Sequence, residues 1–483
     1  MDVFRRQFGR TSLIIMGSFA CLAGIGLARI KFDFPASYVW LALSVLLVVW
    51  RGRKLAAVFG VIVFGLSLGL WRGDLYMHKL AVYQSLNGQR VTLIGQANDD
   101  AVYAKAGQLS FPISKVRLVS TGQTLAGAVG VKGFGETAIY RGDIVKVSGK
   151  LYITRGNNQA SISYANLQAI SRGRSIIDSL RRRFTAGMQS ALPEPLASFG
   201  LGLLIGQRSN LPTNISHQLT AVGLTHIIAV SGYNLTILVE AARQILGKRS
   251  KRQTMFFSLA LIGLFVLITG TSASITRAAL VSILSLAAWF YGRNVKPMML
   301  IAFVAALTGL ANPFYVWSNI GWYLSFLAFF GVLVLAPLAI NRLFKDKKLS
   351  IITTIMIESL SAELMTMPII LYIFGQVSLI ALPSNALVLA FVPLAMLLSF
   401  IAGLGGMFVP ALAGWLAWPA KLLLTYMLDV VSLLSRVPHS FVQTLSLPLV
   451  QMLAVYMTIF AVCLVLWHRT KSLKAATITD KEQ

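Results

Sequence analysis

Twelve apolar runs limit what this chain can fold into. Three lie near the N-terminus, at 11–28, 38–50 and 55–71. Nine more follow at 222–246, 254–271, 272–292, 298–311, 320–340, 351–373, 378–402, 411–431 and 449–467. One helical span of a hydrocarbon layer takes about 20 apolar residues. Most of the runs meet that length, and those at 38–50 and 298–311 fall short. A soluble core has no room for them. Hydrophobic residues make up 56% of the 483 and charged residues 12%, about half the ~25% charged fraction usual in soluble domains, and mean hydropathy is +0.72. The expectation is a polytopic α-helical membrane protein with about 12 transmembrane helices. The first run has the basic lead of a signal peptide in Arg5, Arg6 and Arg10. A second run follows closely, however, and Ala28-Arg29-Ile30 is a poor cleavage site, so the run reads as a signal anchor. Cys21 and Cys463, each inside an apolar run, offer no disulfide framework.

Between the two sets of runs the texture changes. From 72 to 170 the chain is polar and Gly-rich, with period-2 alternation at 90–95, 113–119 and 143–153 and glycines punctuating the segments as turns. Short strands with an Arg-Gly-Asp-x-Val-x-Val-x-Gly segment at 141–149 predict an inserted, extracytoplasmic small β-barrel of OB type. Tyr103, Phe111, Phe134, Tyr140 and Tyr152 are the aromatics available there to stack bases, and some of them must fill the core. Residues 171–220 form a connector. In it Arg172, Arg174, Arg181, Arg182 and Arg183 alternate with Ile176, Ile177, Leu180, Phe184 and Met188, the pattern of a basic amphipathic helix on a membrane surface. The organisation is therefore N-terminal helices (1–71), β-domain (72–170), connector (171–220), helical domain (221–468) and a polar tail (469–483).

Loop charge predicts the orientation. If the runs alternate, the basic loops fall on one face: Arg51/Arg53/Lys54, Arg243/Lys248/Arg249/Lys251/Arg252, Arg293/Lys296, Arg342/Lys345/Lys347/Lys348 and Arg469/Lys471/Lys474. The intervening loops at 312–319 and 374–377 are nearly uncharged. Both termini are then cytoplasmic and the β-domain lies outside. From Arg72 to Ser190 there are 16 Lys/Arg and 6 Asp/Glu, a net charge of +10 that retention of positive loops inside does not explain. Anionic lipid headgroups are one partner for this charge and single-stranded nucleic acid is another, and both stay open for Arg172–Arg183.

The stretch Gly223-Leu-Thr-His-Ile-Ile-Ala-Val-Ser-Gly-Tyr-Asn234 sets His226, Ser231 and Asn234 inside an apolar run. Polar groups at membrane depth are costly unless they are paired or line a wet cavity. Helix packing by small residues is the plainer explanation of the Ser and Gly. A His226/Ser231 pair also raises an intramembrane hydrolase, an acyltransferase or a lipid-linked polymer transporter, although five residues separate the two and no carboxylate orients the imidazole. Arg277, Glu358 and Glu363 are further ionisable groups within apolar runs, either pairing with one another or lining a pathway. Neither metal-ligand spacing nor a Walker-type loop is present, so no cofactor is expected and any motor is a separate protein.

The chain resembles the ComEC family of competence DNA-uptake channels. The resemblance is carried by Leu203-Leu-Ile-Gly-Gln-Arg208, by Gly223 to Gly232, and by Ser274-Ile-Thr-Arg-Ala278. It continues through Asn312-Pro-Phe, Gly321-Trp-Tyr-Leu-Ser-Phe326 and Pro383-Ser-Asn385 to Pro393. Membership implies a non-enzymatic inner-membrane channel that passes single-stranded DNA inward during natural transformation. It also implies an external DNA receptor and a separate cytoplasmic ATP-driven motor. Arg208, His226, Ser231, Gly232, Asn234, Arg277, Glu358, Glu363 and Asn385 would belong to the pathway. Many family members have a histidine where this chain has Asn234 and an acidic residue where it has Gln207. Many also carry a C-terminal metallo-β-lactamase-like domain. This chain resembles a short form without it, which implies a separate nuclease.

Overall fold

The computed structural model describes residues 9–30, 34–50, 55–103, 107–154, 156–173, 175–207, 211–228, 235, 239, 243, 250–270, 272–293, 296–344, 349–443 and 445–479. The chain divides into two compact units. The first comprises Met1–Ala186, Gln207–Asn210 and Gly232–Trp322, and the second Gly187–Gly206, Leu211–Ser231 and Tyr323–Gln483.

In the first unit, α1 (Arg10–Leu27) and α3 (Leu55–Leu86) pack closely, with α2 (Ala36–Trp50) between them in sequence. Lipid supplies no hydrophobic drive between helices, so close association relies on small residues that let backbones meet. Gly65, Gly69 and Gly73 recur every fourth residue on α3 and share one face. A Cβ at Gly69 would strike the Cys21 carbonyl oxygen, and one at Gly24 would lie 2.9 Å from Leu70 N. Cys21 is buried and free in this seam, as Cys463 is within the second unit.

The helix α3 does not stop at residue 71, where the polar texture begins, but continues to Leu86. Its last turns keep an apolar stripe of Leu80, Tyr83 and Leu86, which packs on the sheet core. Six strands follow: β1 (Arg90–Ala97), β2 (Val102–Tyr103), β3 (Leu109–Leu118), β4 (Val129–Phe134), β5 (Ile144–Ile153) and β6 (Ala160–Ser171). Where a small barrel is expected, they form one mixed sheet of order β1-β5-β6-β4-β3-β2. The pairings are antiparallel except β4–β6, and β1 pairs with β3 as well as with β5. Alternation puts Leu93, Ile113, Val145, Val147, Leu151 and Ile162 inside. The unit also holds most of α4 (Ile176–Ala191) and the helices α8 (Lys251–Thr269), α9 (Ala273–Phe290), α10 (Pro297–Ala311) and α11 (Phe314–Ser318).

The second unit begins with three short helices, α5 (Leu196–Ile205), α6 (Thr213–Ala221) and α7 (Thr225–Ile228). All of α5 is buried except half-buried Leu204. Gly206, at φ 70°, ends it in the left-handed conformation that glycine favours. Next come α12 (Ile320–Phe330), which belongs to this unit from Tyr323 on and continues through a π-turn at Gly331–Leu335 into α13 (Ala336–Leu343), and α14 (Ile351–Phe374). The remaining elements are β7 (Val377–Ser378), α15 (Ala381–Val388), α16 (Val392–Phe408), α17 (Ala413–Ser435), β8 (Phe441–Val442) and α18 (Leu449–Thr479). The end of α4 meets α16 backbone to backbone, where Gly187 abuts Gly403 and Gly406.

Among the described residues, eight helices are long and apolar enough to cross a membrane. They coincide with eight of the twelve expected spans. Ala36–Leu46, Ser274–Phe290 and Pro297–Ala311 are helical but shorter, and the run at 222–246 lies mostly outside the described residues. The chain is a polytopic helical membrane protein with a mixed-sheet domain.

Candidate nucleic-acid interface

The six strands carry six cations, Arg90, Lys115, Arg117, Lys132, Lys146 and Lys150, and no carboxylate. The alternation that buries Val145 and Val147 turns the cations outward; Lys146 is half-buried and the others are exposed. Register sets them side by side. Arg90 stands opposite Lys150, Lys150 opposite Ser163, and Ile94 opposite both Lys146 and Arg117. Exposed aromatics interleave with them: Phe134 beside Asn166, Tyr152 beside Ser161, and Tyr164. Of the five aromatics named from the sequence, only Phe111 enters the core, while Tyr103, Phe134, Tyr140 and Tyr152 are exposed.

Tyr164 was not legible as a candidate. It lies where β6 slips register against both β4 and β5, at φ 54°, with its side chain 76% exposed. The left-handed conformation costs an L-residue roughly 1–2 kcal/mol, and an aromatic ring left in solvent returns none of it. Strain concentrated at a bulge is a common mark of a functional position. Cations interleaved with exposed rings are the arrangement that holds single strands by phosphate contact and base stacking.

The carboxylates gather at the loops instead and engage the arginines expected to meet phosphate or headgroups. Asp143, 0% exposed, accepts hydrogen bonds from Tyr140 N (3.0 Å), Gly173 N (2.9 Å) and Arg172 Nη1 (2.8 Å). Arg172 also stacks over the Tyr140 ring at 5.6 Å. Asp100 accepts from Arg141 N at 2.9 Å and from Arg181 Nη2 at 3.2 Å. Arg181 is only 7% exposed. Arg182 donates to Gly173 O at 3.0 Å, and Arg183 is exposed on α4. Arg141 donates to the carbonyls of Ile268 (2.9 Å) and Leu267 (3.2 Å) at the C-terminal end of α8. Burial, and then the adjacent Arg181, hold its pKa below the usual guanidinium value, against the opposing pull of Asp178, Asp99 and Asp100. Arg172, Arg181 and Arg182 thus fasten the β-domain to the start of α4. Arg174 lies outside the described residues.

The membrane-embedded candidates divide between the units. Arg277 belongs to the first unit, buried near the start of α9, and donates to Ser274 Oγ at 3.2 Å. His226, Glu358, Glu363 and Asn385 belong to the second. His226 is exposed on α7, with Nδ1 3.1 Å from Gly223 O. Gly223 adopts φ 77° in the turn between α6 and α7, so the helix is interrupted there. A Cβ at Gly223 would lie 2.6 Å from that of Ala381, so the His226 turn sits against the start of α15, which carries buried Asn385. Glu358 and Glu363 are half-buried on α14. Arg208, Ser231, Gly232 and Asn234 lie outside the described residues. Among the described residues, no three of His, Cys, Asp and Glu converge as a metal site requires.

A family model described as "Competence protein" matches residues 203–469, more than half of the chain. The chain belongs to the competence protein (ComEC) family. It is similar to ComE operon protein 3 of Bacillus subtilis (strain 168), with 28% identity over 227 residues. That match takes in 47% of this chain and 28% of the relative, so this ComEC-family chain aligns with less than a third of its relative's length. No solved structure matches it.

Proposed function

We propose that this chain is an inner-membrane channel that passes single-stranded DNA into the cytoplasm during natural transformation, and that it does so without catalysing a reaction. The observation that carries the reading is the competence match, which runs through the helical part of the chain from 203 to 469. The outward cations and rings of the β-domain support DNA as the substrate, since a carboxylate-free basic face attracts a polyanion and releases its counterions. The loop charges favour cytoplasmic termini and an outside β-domain. The eight long helices, three shorter ones and the 222–246 run would make twelve spans.

In this reading an external receptor delivers the strand to the β-domain and a cytoplasmic ATP-driven motor draws it in. Arg208, His226, Ser231, Gly232, Asn234, Arg277, Glu358, Glu363 and Asn385 belong to the conduit. The test is import of labelled DNA by a deletion strain complemented with His226→Ala or Arg277→Ala at matched protein levels. Each variant is expected to lower import at least about tenfold, the loss of a contact worth some 1.4 kcal/mol. Unimpaired import in both removes the site assignment, and ordinary uptake by the deletion strain removes the channel.

A further inference from the structure

Among the described residues, the second unit leaves a set of buried polar atoms without hydrogen-bond partners: Ser198 Oγ on α5, Gln218 Oε1 on α6, Ser378 Oγ on β7, Asn385 Oδ1 on α15 and Ser399 Oγ on α16. Hydroxyls on helices in this protein usually satisfy themselves by bonding back one turn. Thr366 donates to Ala362 O at 3.0 Å, and Ser384 donates to Ile380 O at 2.5 Å. Ser198 and Ser399 do not, although both are buried. An unmade hydrogen bond in a dry interior is costly, and water is the partner that removes the cost.

Four of these positions, all but Ser198, are ordered rather than scattered. Asn385 and Ser399 are 14 residues apart on the nearly continuous helical stretch from Ala381 to Phe408. At 1.5 Å per residue that is about 21 Å, close to a whole number of turns. They therefore share one face and cover most of the ~30 Å hydrocarbon thickness. Ser399 Oγ is directed at α5, where a Cβ on Gly200 would lie 3.2 Å from it. At the other end, Ser378 Cβ would lie 3.4 Å from a Cβ on Gly223, in the turn that follows α6 and its Gln218. The helix α5, ten residues or about 15 Å long, covers only half of a bilayer before its Gly206 cap. Interrupted helices at membrane depth are tolerated where they are buried in protein or line a water-filled cavity.

We propose that this seam opens to water and is a segment of the strand's route through the second unit, a segment whose own lining is neutral hydroxyls and amides. Serine hydroxyls, and amides turned to present their NH2 groups, can donate to successive phosphates without holding any of them tightly. That property suits conduction, where binding must be weak enough to leave. The proposal rests on the DNA-channel reading and assigns its route.

The test is thiol accessibility in the full-length protein with Cys21 and Cys463 replaced by Ala. Ser378→Cys, Asn385→Cys and Ser399→Cys are exposed to the water-soluble probe 2-aminoethyl methanethiosulfonate in membrane vesicles, with Leu201→Cys as the buried apolar control. The seam thiols are expected to react at least about tenfold faster than the control, and added oligo(dT) is expected to slow them. Seam rates equal to the Leu201→Cys rate, with DNA import intact, overturn the seam and leave the channel reading standing. Reactive thiols indifferent to oligo(dT) overturn the assignment of the seam to the strand.

Discussion

Replacing Asp143 with alanine separates the structural role of the basic connector from a DNA-binding one. The carboxylate is wholly buried and accepts from two backbone N–H groups and from Arg172 Nη1. In Asp143→Ala the Tyr140 and Gly173 N–H groups lose a charged acceptor where water does not reach, at roughly 1.5–3 kcal/mol each. Arg172 has a side chain 53% exposed, so it rehydrates and adds little, as half-exposed ion pairs do. The β-domain should then lose about 3–6 kcal/mol, a large part of a typical domain's 5–15. Arg172→Ala should cost only about 1 kcal/mol. The assay is hydrogen exchange at the core amides of β5 in the full-length protein. Exchange limited by opening of the domain should quicken a hundredfold or more in Asp143→Ala, at tenfold per 1.4 kcal/mol, and less than about tenfold in Arg172→Ala. Equal effects, or a larger one from Arg172→Ala, would refute the claim that Asp143 organises this junction.

Tyr164→Gly should move stability and binding in opposite directions: relief of the left-handed strain slows exchange about fivefold, while oligo(dT) affinity, read by fluorescence anisotropy, falls at least fivefold. Combining Arg90→Ala, Lys132→Ala and Lys150→Ala should lower the slope of log affinity against log salt by about 2, at about 0.7 per phosphate of a single strand. Gly69→Leu should cost at least about 1–3 kcal/mol by forcing α1 off α3, visible as a lower melting temperature in detergent. Gly26→Leu, which meets nothing within 4 Å, should leave that temperature unchanged.

The sequence by itself determined that this is a helical membrane protein with an inserted β-domain. Both conclusions follow from local regularities: unbroken apolar runs have no alternative solvent, and period-2 alternation in β1, β3 and β5 has one buried face. The competence likeness was equally legible, because it resides in contiguous motifs such as Leu203–Arg208 and Pro383–Pro393. Tertiary structure alone decided what each polar residue does. Arg172, Arg181 and Arg182 look alike in a list of cations, yet Asp100, Asp143 and the Gly173 carbonyl engage them, and a partner from 9 to 81 residues away is invisible to spacing. Tyr164 gained its position from two register slips that no strand specifies alone. Ser198 and Ser399 became notable only when the packing of α5 on α16 closed around them, because an unmet hydrogen bond is a property of surroundings and not of a residue type.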